Sequence, residues 1–139
     1  MTTHVEKSYV AIRYNETSHS IEIDWKTSPT SVEFREGMNQ GIEAMKKYQT
    51  GALLSDTTNL GALSEEDQQW SYTEWLQRAM AVGYHSFAVV VSSDIFAQMS
   101  VEDTLSQVQG VTIQYFDTVD EAQSWLQENN KATKNSVSA

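Results

Sequence analysis

Acid–base or metal chemistry in this chain would have to start from three histidines, His4, His19 and His85, and from the carboxylates near them. His4 stands in the N-terminal tail, His19 in a turn between two expected strands, and His85 just ahead of an apolar strand. None has metal-ligand or triad spacing to a partner, and His4 and His19 are expected to be solvated. His85 would act as a base only with Asp56 or Asp94 beside it. Those two carboxylates should fall at the carboxyl ends of parallel strands, the edge where α/β sheets bind ligands. The plainer expectation is that Asp56 bonds backbone N–H groups of its own loop and Asp94 caps the next helix. Asp24 ends another strand, whose direction the sequence leaves open.

The chain contains no Gly-rich phosphate loop, G-x-S-x-G elbow or H-E-x-x-H. It has no cysteine, which excludes thiolate chemistry and thiolate metal sites. The expectation is therefore a protein that is not an enzyme and uses no cofactor and no metal. An enzyme built on Asp56 with His85 ranks third among the readings.

The elements that must position these residues follow from periodicity. SYVAIRY (8–14) and SIEIDW (20–25) alternate as strands around the turn NETSH, giving an antiparallel hairpin. After Pro29 a helix is expected, with Val32, Met38, Ile42 and Met45 on its buried stripe, early Glu33 and Glu36, and late Lys46 and Lys47. Gly37 and Gly41 inside it point to close approach to the sheet. ALLSD (52–56) is a short strand with a polar end. One amphipathic helix should then run from Ser64 to Gly83, with Tyr72, Trp75, Leu76, Ala79 and Val82 inward. Trp70 projects nearly opposite that stripe, near Thr73 and Gln77.

SFAVVV (86–91) is the most continuously apolar run and should be a central strand covered on both faces. Ile95, Phe96, Met99, Val101, Leu105 and Val108 describe one broken helix or two short ones, with Ser100 a possible second N-cap. VTIQYF (111–116) is a further strand, and Thr118 with Glu121 forms a capping box for a last helix carrying Ala122, Trp125 and Leu126. The fold class is α/β, a mixed five-stranded sheet with about four helices in the order β-β-α-β-α-β-α-β-α. One domain spans 1–129, and the tail 130–139 lacks apolar content and is expected to be disordered.

A formal charge of −10, from 19 acidic and 9 basic residues, disfavours nucleic acid and anionic lipid surfaces, both bound through clustered Lys and Arg. The N-terminus lacks a basic and apolar leader, and no apolar run is long enough to insert in a membrane. A cytoplasmic location is expected.

LLSDTTNLGALSEEDQQW, GYHSFAVVVSSDIFAQMS and IQYFDTVDEAQSWL together resemble a bacterial group described as SpoIIAA-like, and the element order resembles the STAS domain of anti-sigma-factor antagonists. The resemblance implies a non-enzymatic binding or regulatory module working through protein–protein contacts with a regulatory partner. STAS relatives imply a serine at the start of the helix after the Asp56 strand whose phosphorylation releases a partner kinase or regulator; the matching position is Ser64. The chain departs from the family pattern in lacking the Asp-Ser dipeptide and its following glycine. A phosphate on Ser64 would also face Glu65, Glu66 and Asp67, which already occupy the favourable end of the helix dipole, so Ser64 reads as a structural cap.

Partner- or ligand-binding candidates are Asp56, Thr58, Asn59, Ser64, Trp70, Thr73 and Gln77. Trp70 either folds back over the loop at Leu60 and Leu63, the commoner outcome for a tryptophan off the stripe, or anchors a partner; in the second case a self-complementary patch of Trp70, Thr73 and Gln77 would make the protein a homodimer. The alternative function is a carrier of an apolar small molecule or lipid, implied by likeness to CRAL-TRIO carriers. Its apolar-pocket candidates are Trp75, Phe96, Met99 and Leu105.

Overall fold

The computed structural model describes residues 1–138, with side chains through residue 130. Beyond Asn130 the expectation of a disordered tail (130–139) therefore lies outside the residues described with side chains. A six-stranded sheet runs in sequence order, β1 (Thr2–Glu6), β2 (Val10–Asn15), β3 (Ser20–Trp25), β4 (Ala52–Asp56), β5 (Ser86–Val90) and β6 (Thr112–Phe116). β1, β2 and β3 pair antiparallel, while β3 to β6 are parallel, joined by helical crossovers. The sheet thus has one strand more than the sequence pattern indicates. The stretch read as a tail is β1, whose Thr2, Thr3 and Glu6 are exposed while His4 and Val5 are half-buried, too weak an alternation to register as a strand.

α1 (Ser31–Tyr48) is opened by Thr30, whose side chain accepts from the Glu33 N–H while Glu33 reaches back to the Thr30 N–H. It buries Phe34, Ile42 and Met45 against the sheet. Val32 is not on that stripe; it is 76% exposed in the first turn, and Phe34 takes its place. The two helix glycines have a packing reason. A Cβ on Gly37 would lie 2.6 Å from the Trp25 ring, and one on Gly41 would lie 2.9 Å from Ile23 Cδ1.

The expected single helix from Ser64 to Gly83 is three segments, α2 (Glu65–Trp70), a π-turn (Ser71–Trp75) and α3 (Leu76–Ala81). The Leu76 N–H bonds Ser71 O, five residues back. A π-turn brings residues five apart towards one face, so Trp70 and Trp75 both turn inward. α4 (Ile95–Leu105) is one helix. Ser100 is not a second cap, because its hydroxyl donates back to Ala97 O at 2.9 Å. α5 (Val119–Ser138) is opened by Thr118, which accepts from the Glu121 N–H.

Two cores result. On one face α1, α2, the π-turn, α3 and α4 cover Trp25, Ile21, Ile23, Leu53, Phe87 and Val89. On the other, Ala122 and Leu126 of α5 cover Ala52, Leu54, Ala88 and Val90.

Candidate functional site

The candidate site is the carboxyl edge of the sheet, where β4 hands over to the loop Asp56–Leu63 and α2. Asp56 lies beside Asp24 in register. Asp56 Oδ1 accepts from the Thr58 N–H at 3.1 Å and the Thr58 hydroxyl at 2.5 Å, a local turn of the kind a short carboxylate favours. The Asp24 carboxylate lies 3.7 Å from the Arg13 guanidinium. Thr57 is buried and gives both its hydroxyl and its N–H to Val90 O, at 2.6 and 3.0 Å, tying the loop to β5. Farther on, Gly61 takes a φ of +78° that suits glycine, and the Leu63 N–H donates to Ser100 Oγ of α4 at 3.1 Å. The loop is thus fixed at both ends while Thr58 and Asn59 stand exposed at its tip.

Ser64 is the α2 cap, its hydroxyl accepting from the Asp67 N–H at 3.1 Å. Asp67 does not return the bond as a capping box would. Its carboxylate is turned inward, 5% exposed, and takes the Ser31 hydroxyl at 2.7 Å and Arg35 Nε at 3.0 Å. This bridge joins the start of α2 to the start of α1, and sequence spacing alone cannot reveal it.

Trp70 takes the buried outcome of the two open to it, not that of the exposed anchor. It is 8% exposed, edge-on to Phe34 at 6.2 Å between centroids, with the Arg35 and Arg78 guanidinia 5.2 and 5.9 Å from its ring. Thr73 and Gln77 do face outward, but without Trp70 beside them. The Thr73 hydroxyl donates to Gln69 O within its own helix.

The histidines are dispersed. His85 precedes β5 at the amino edge, whereas Asp56 pairs with Val90 at the far end. About five residue steps, on the order of 16 Å of strand, separate the two. Asp94 also lies away from His85, capping α4 through the N–H groups of Phe96 and Ala97. His85 instead contacts Ser86 Oγ at 2.7 Å, and burial pushes its pKa below the usual value, with the nearby His19 adding to the effect. His4 and His19 are not simply solvated: His4 Nε2 lies 3.3 Å from Gln40 Oε1, and His19 bridges Tyr14 Oη and Gln49 O. Among the described residues no three His, Cys, Asp or Glu side chains form a metal-ligating group.

Below the loop, between the sheet, the π-turn and α4, lies an apolar cavity of about 60 Å³. Trp75 and Leu105 line it, with Phe34, Phe87 and Val101. Phe96 and Met99 do not; they are 75% and 51% exposed on the opposite side of α4. Trp75 Nε1 is satisfied by Met38 O at 2.7 Å. Ser55 and Tyr84 also line the cavity, and neither hydroxyl bonds another described residue. Burial holds the Tyr84 hydroxyl well above its ordinary pKa.

The SpoIIAA-like family model matches residues 20–127 of this chain. No curated protein and no solved structure matches it. The matched span runs from β3 into the first half of α5 and includes every candidate residue named above except His4 and His19.

Proposed function

The chain belongs to the SpoIIAA-like family, and from that premise we propose that it is a non-enzymatic binding or regulatory module acting through protein–protein contacts in the cytoplasm. The observation that carries this reading is the loop Asp56–Leu63. It is pinned to β5 through Thr57 and to α4 through Leu63, yet presents Thr58 and Asn59 outward next to the α2 cap. A fixed loop with exposed polar tips loses little entropy on docking, which favours recognition. The dispersed histidines and the locally satisfied Asp56 support binding over turnover. Among the described residues no helix is long and apolar enough to cross a membrane.

A homodimer remains part of the proposal, but on a face other than Trp70, whose ring is already packed. Ser64 is assigned the cap rather than a phosphate switch, since its hydroxyl is engaged and Glu65 and Glu66 follow it.

The test is capture from an extract of the cells that make the protein, comparing the native chain with a Thr58→Ala, Asn59→Ala double variant. The reading predicts a partner held in fixed stoichiometry by the native chain and depleted with the variant, at unchanged far-UV spectrum. A partner held equally by both would remove the loop from the contact.

The cavity favours a second reading, a carrier of a small, largely apolar molecule with one polar group to meet Tyr84 and Ser55. At about 60 Å³ it is well below the roughly 300–1,000 Å³ of ordinary ligand sites. A lipid chain would fit only if α4 moved outward. Organic extraction of the purified protein followed by mass analysis tests this; recovery of one molecule in stoichiometric amount supports it, and an empty extract refutes it.

A further inference from the structure

α4 is apolar on two sides. Its inner side buries Ala97 and Val101. Its outer side carries Ile95, Phe96 and Met99, exposed by 64%, 75% and 51%. In steps of 100° these three fall with Glu102 and Asp103 inside an arc of about 120°, so the exposed face is one continuous surface. A helix apolar all round is ordinarily covered, yet nothing among the described residues covers this one. Tyr115 of β6, also exposed, lies close enough to Glu102 for that carboxylate to help raise its pKa, after the larger effect of burial. Beside the face, between α2 and α4, runs a groove of about 340 Å³ whose walls include Glu65, Gln68, Asp103 and Gln107.

The charge described at this face has one sign: Glu102 and Asp103 stand on α4 itself, and the groove walls carry Glu65 and Asp103 and no Lys or Arg. A second copy docked symmetrically here would set these carboxylates against themselves without a single cation to relieve them. An anionic membrane would meet the same repulsion.

We propose that the outer face of α4 docks a basic amphipathic helical segment of a second protein. Its apolar side chains would cover Ile95, Phe96 and Met99, and its Lys or Arg side chains would meet Glu102 on the face and Asp103 and Glu65 in the groove. This rests on the binding-module reading and names the partner's chemistry.

The probe is a synthetic helical peptide of about 18 residues, five turns, with leucines at i, i+3, i+4 spacing and lysines elsewhere, set against the same peptide with glutamates for lysines. Fluorescence anisotropy should show saturable one-to-one binding of the basic peptide only. Phe96→Ser with Met99→Ser should weaken it about tenfold or more, the loss expected on truncating interface anchors. Glu102→Gln with Asp103→Asn should weaken it and flatten its salt dependence, leaving the apolar face intact. Equal binding of both peptides, or undiminished binding to the Phe96, Met99 variant with its melting temperature unchanged, would overturn the proposal. So would a native dimer that this variant dissolves, since the occupant would then be a second copy. Failure here with partner capture still dependent on Thr58 and Asn59 would remove this surface alone. Peptide binding as expected with no partner captured would instead count against the loop reading.

Discussion

At the residue scale the account turns on side chains that prove to be occupied. Ser64 is exposed, but its hydroxyl holds the Asp67 N–H, so its removal should be felt as a lost cap. Ser64→Ala is expected to cost about 1 kcal/mol, read as a lower melting temperature, while Ser64→Asp keeps an acceptor and should melt close to the native chain. A melting temperature unchanged by alanine would mean the cap is not needed and would free the serine for another role. His85 supplies a pH dependence with a definite sign. Its folded pKa lies below the ordinary value of 6.5, chiefly through burial. Protonation therefore favours the unfolded chain: stability is fully present above 6.5 and falls as pH drops through that value towards the folded pKa. Urea titrations between about pH 7 and 5 should show this decline, and His85→Gln should flatten it. A variant with the same slope as the native chain would place the titrating group elsewhere. The sequence identifies neither the His19–Gln49 contact nor the Asp67–Arg35 pair, because both join residues 30 or more apart in the chain.

At the scale of elements, much was legible and the exceptions have physical causes. The strands β2 to β6 follow from alternation or continuous apolar runs, and the α5 capping box follows from Thr118 and Glu121. β1 was hidden because an edge strand with one half-buried side offers little pattern. Counting 100° per residue assumes an unbroken α-helix and so turns Trp70 away from the stripe, whereas the π-turn at Ser71–Trp75 adds a residue to the turn. Apolar residues ordinarily face the core, which points Phe96 and Met99 inward; here the core side of α4 is filled by Ala97 and Val101 instead. The glycine reading can be tested within one helix. Gly37→Ala places a methyl 2.6 Å from the fully buried Trp25 ring, so an overpacking cost of about 1–3 kcal/mol should exceed the roughly 1 kcal/mol gained in helix propensity. Gly41→Ala meets only the end of Ile23, a terminal methyl that can turn away, and should be nearly neutral. Thermal melts of the two variants decide the matter: equal melting temperatures would contradict close helix–sheet approach at Trp25.

At the scale of the whole molecule, charge and apolar surface are distributed unevenly. Seven of the nine Lys and Arg lie before Ala79, mixed with twelve of the nineteen acids, whereas the half that bears α4 is acidic without relief through Asn130. Among the described residues, the most exposed large apolar side chains apart from Met1 and Val32 are on α4. Composition announced the negative charge, but only the fold places Glu102 and Asp103 beside the exposed Ile95, Phe96 and Met99. The loop Asp56–Leu63 and α4 are joined through Leu63 and Ser100, so the two proposed contacts are neighbours that one partner can span. The central claim, that this protein works by holding another protein, is tested most directly by a native mass spectrum of the untagged chain gently purified from the cells that make it. The account predicts an added mass of polypeptide size that survives organic solvent after cross-linking. An added mass of lipid size, released by solvent from an otherwise single chain, would contradict it and make the cavity beneath α4 the functional site.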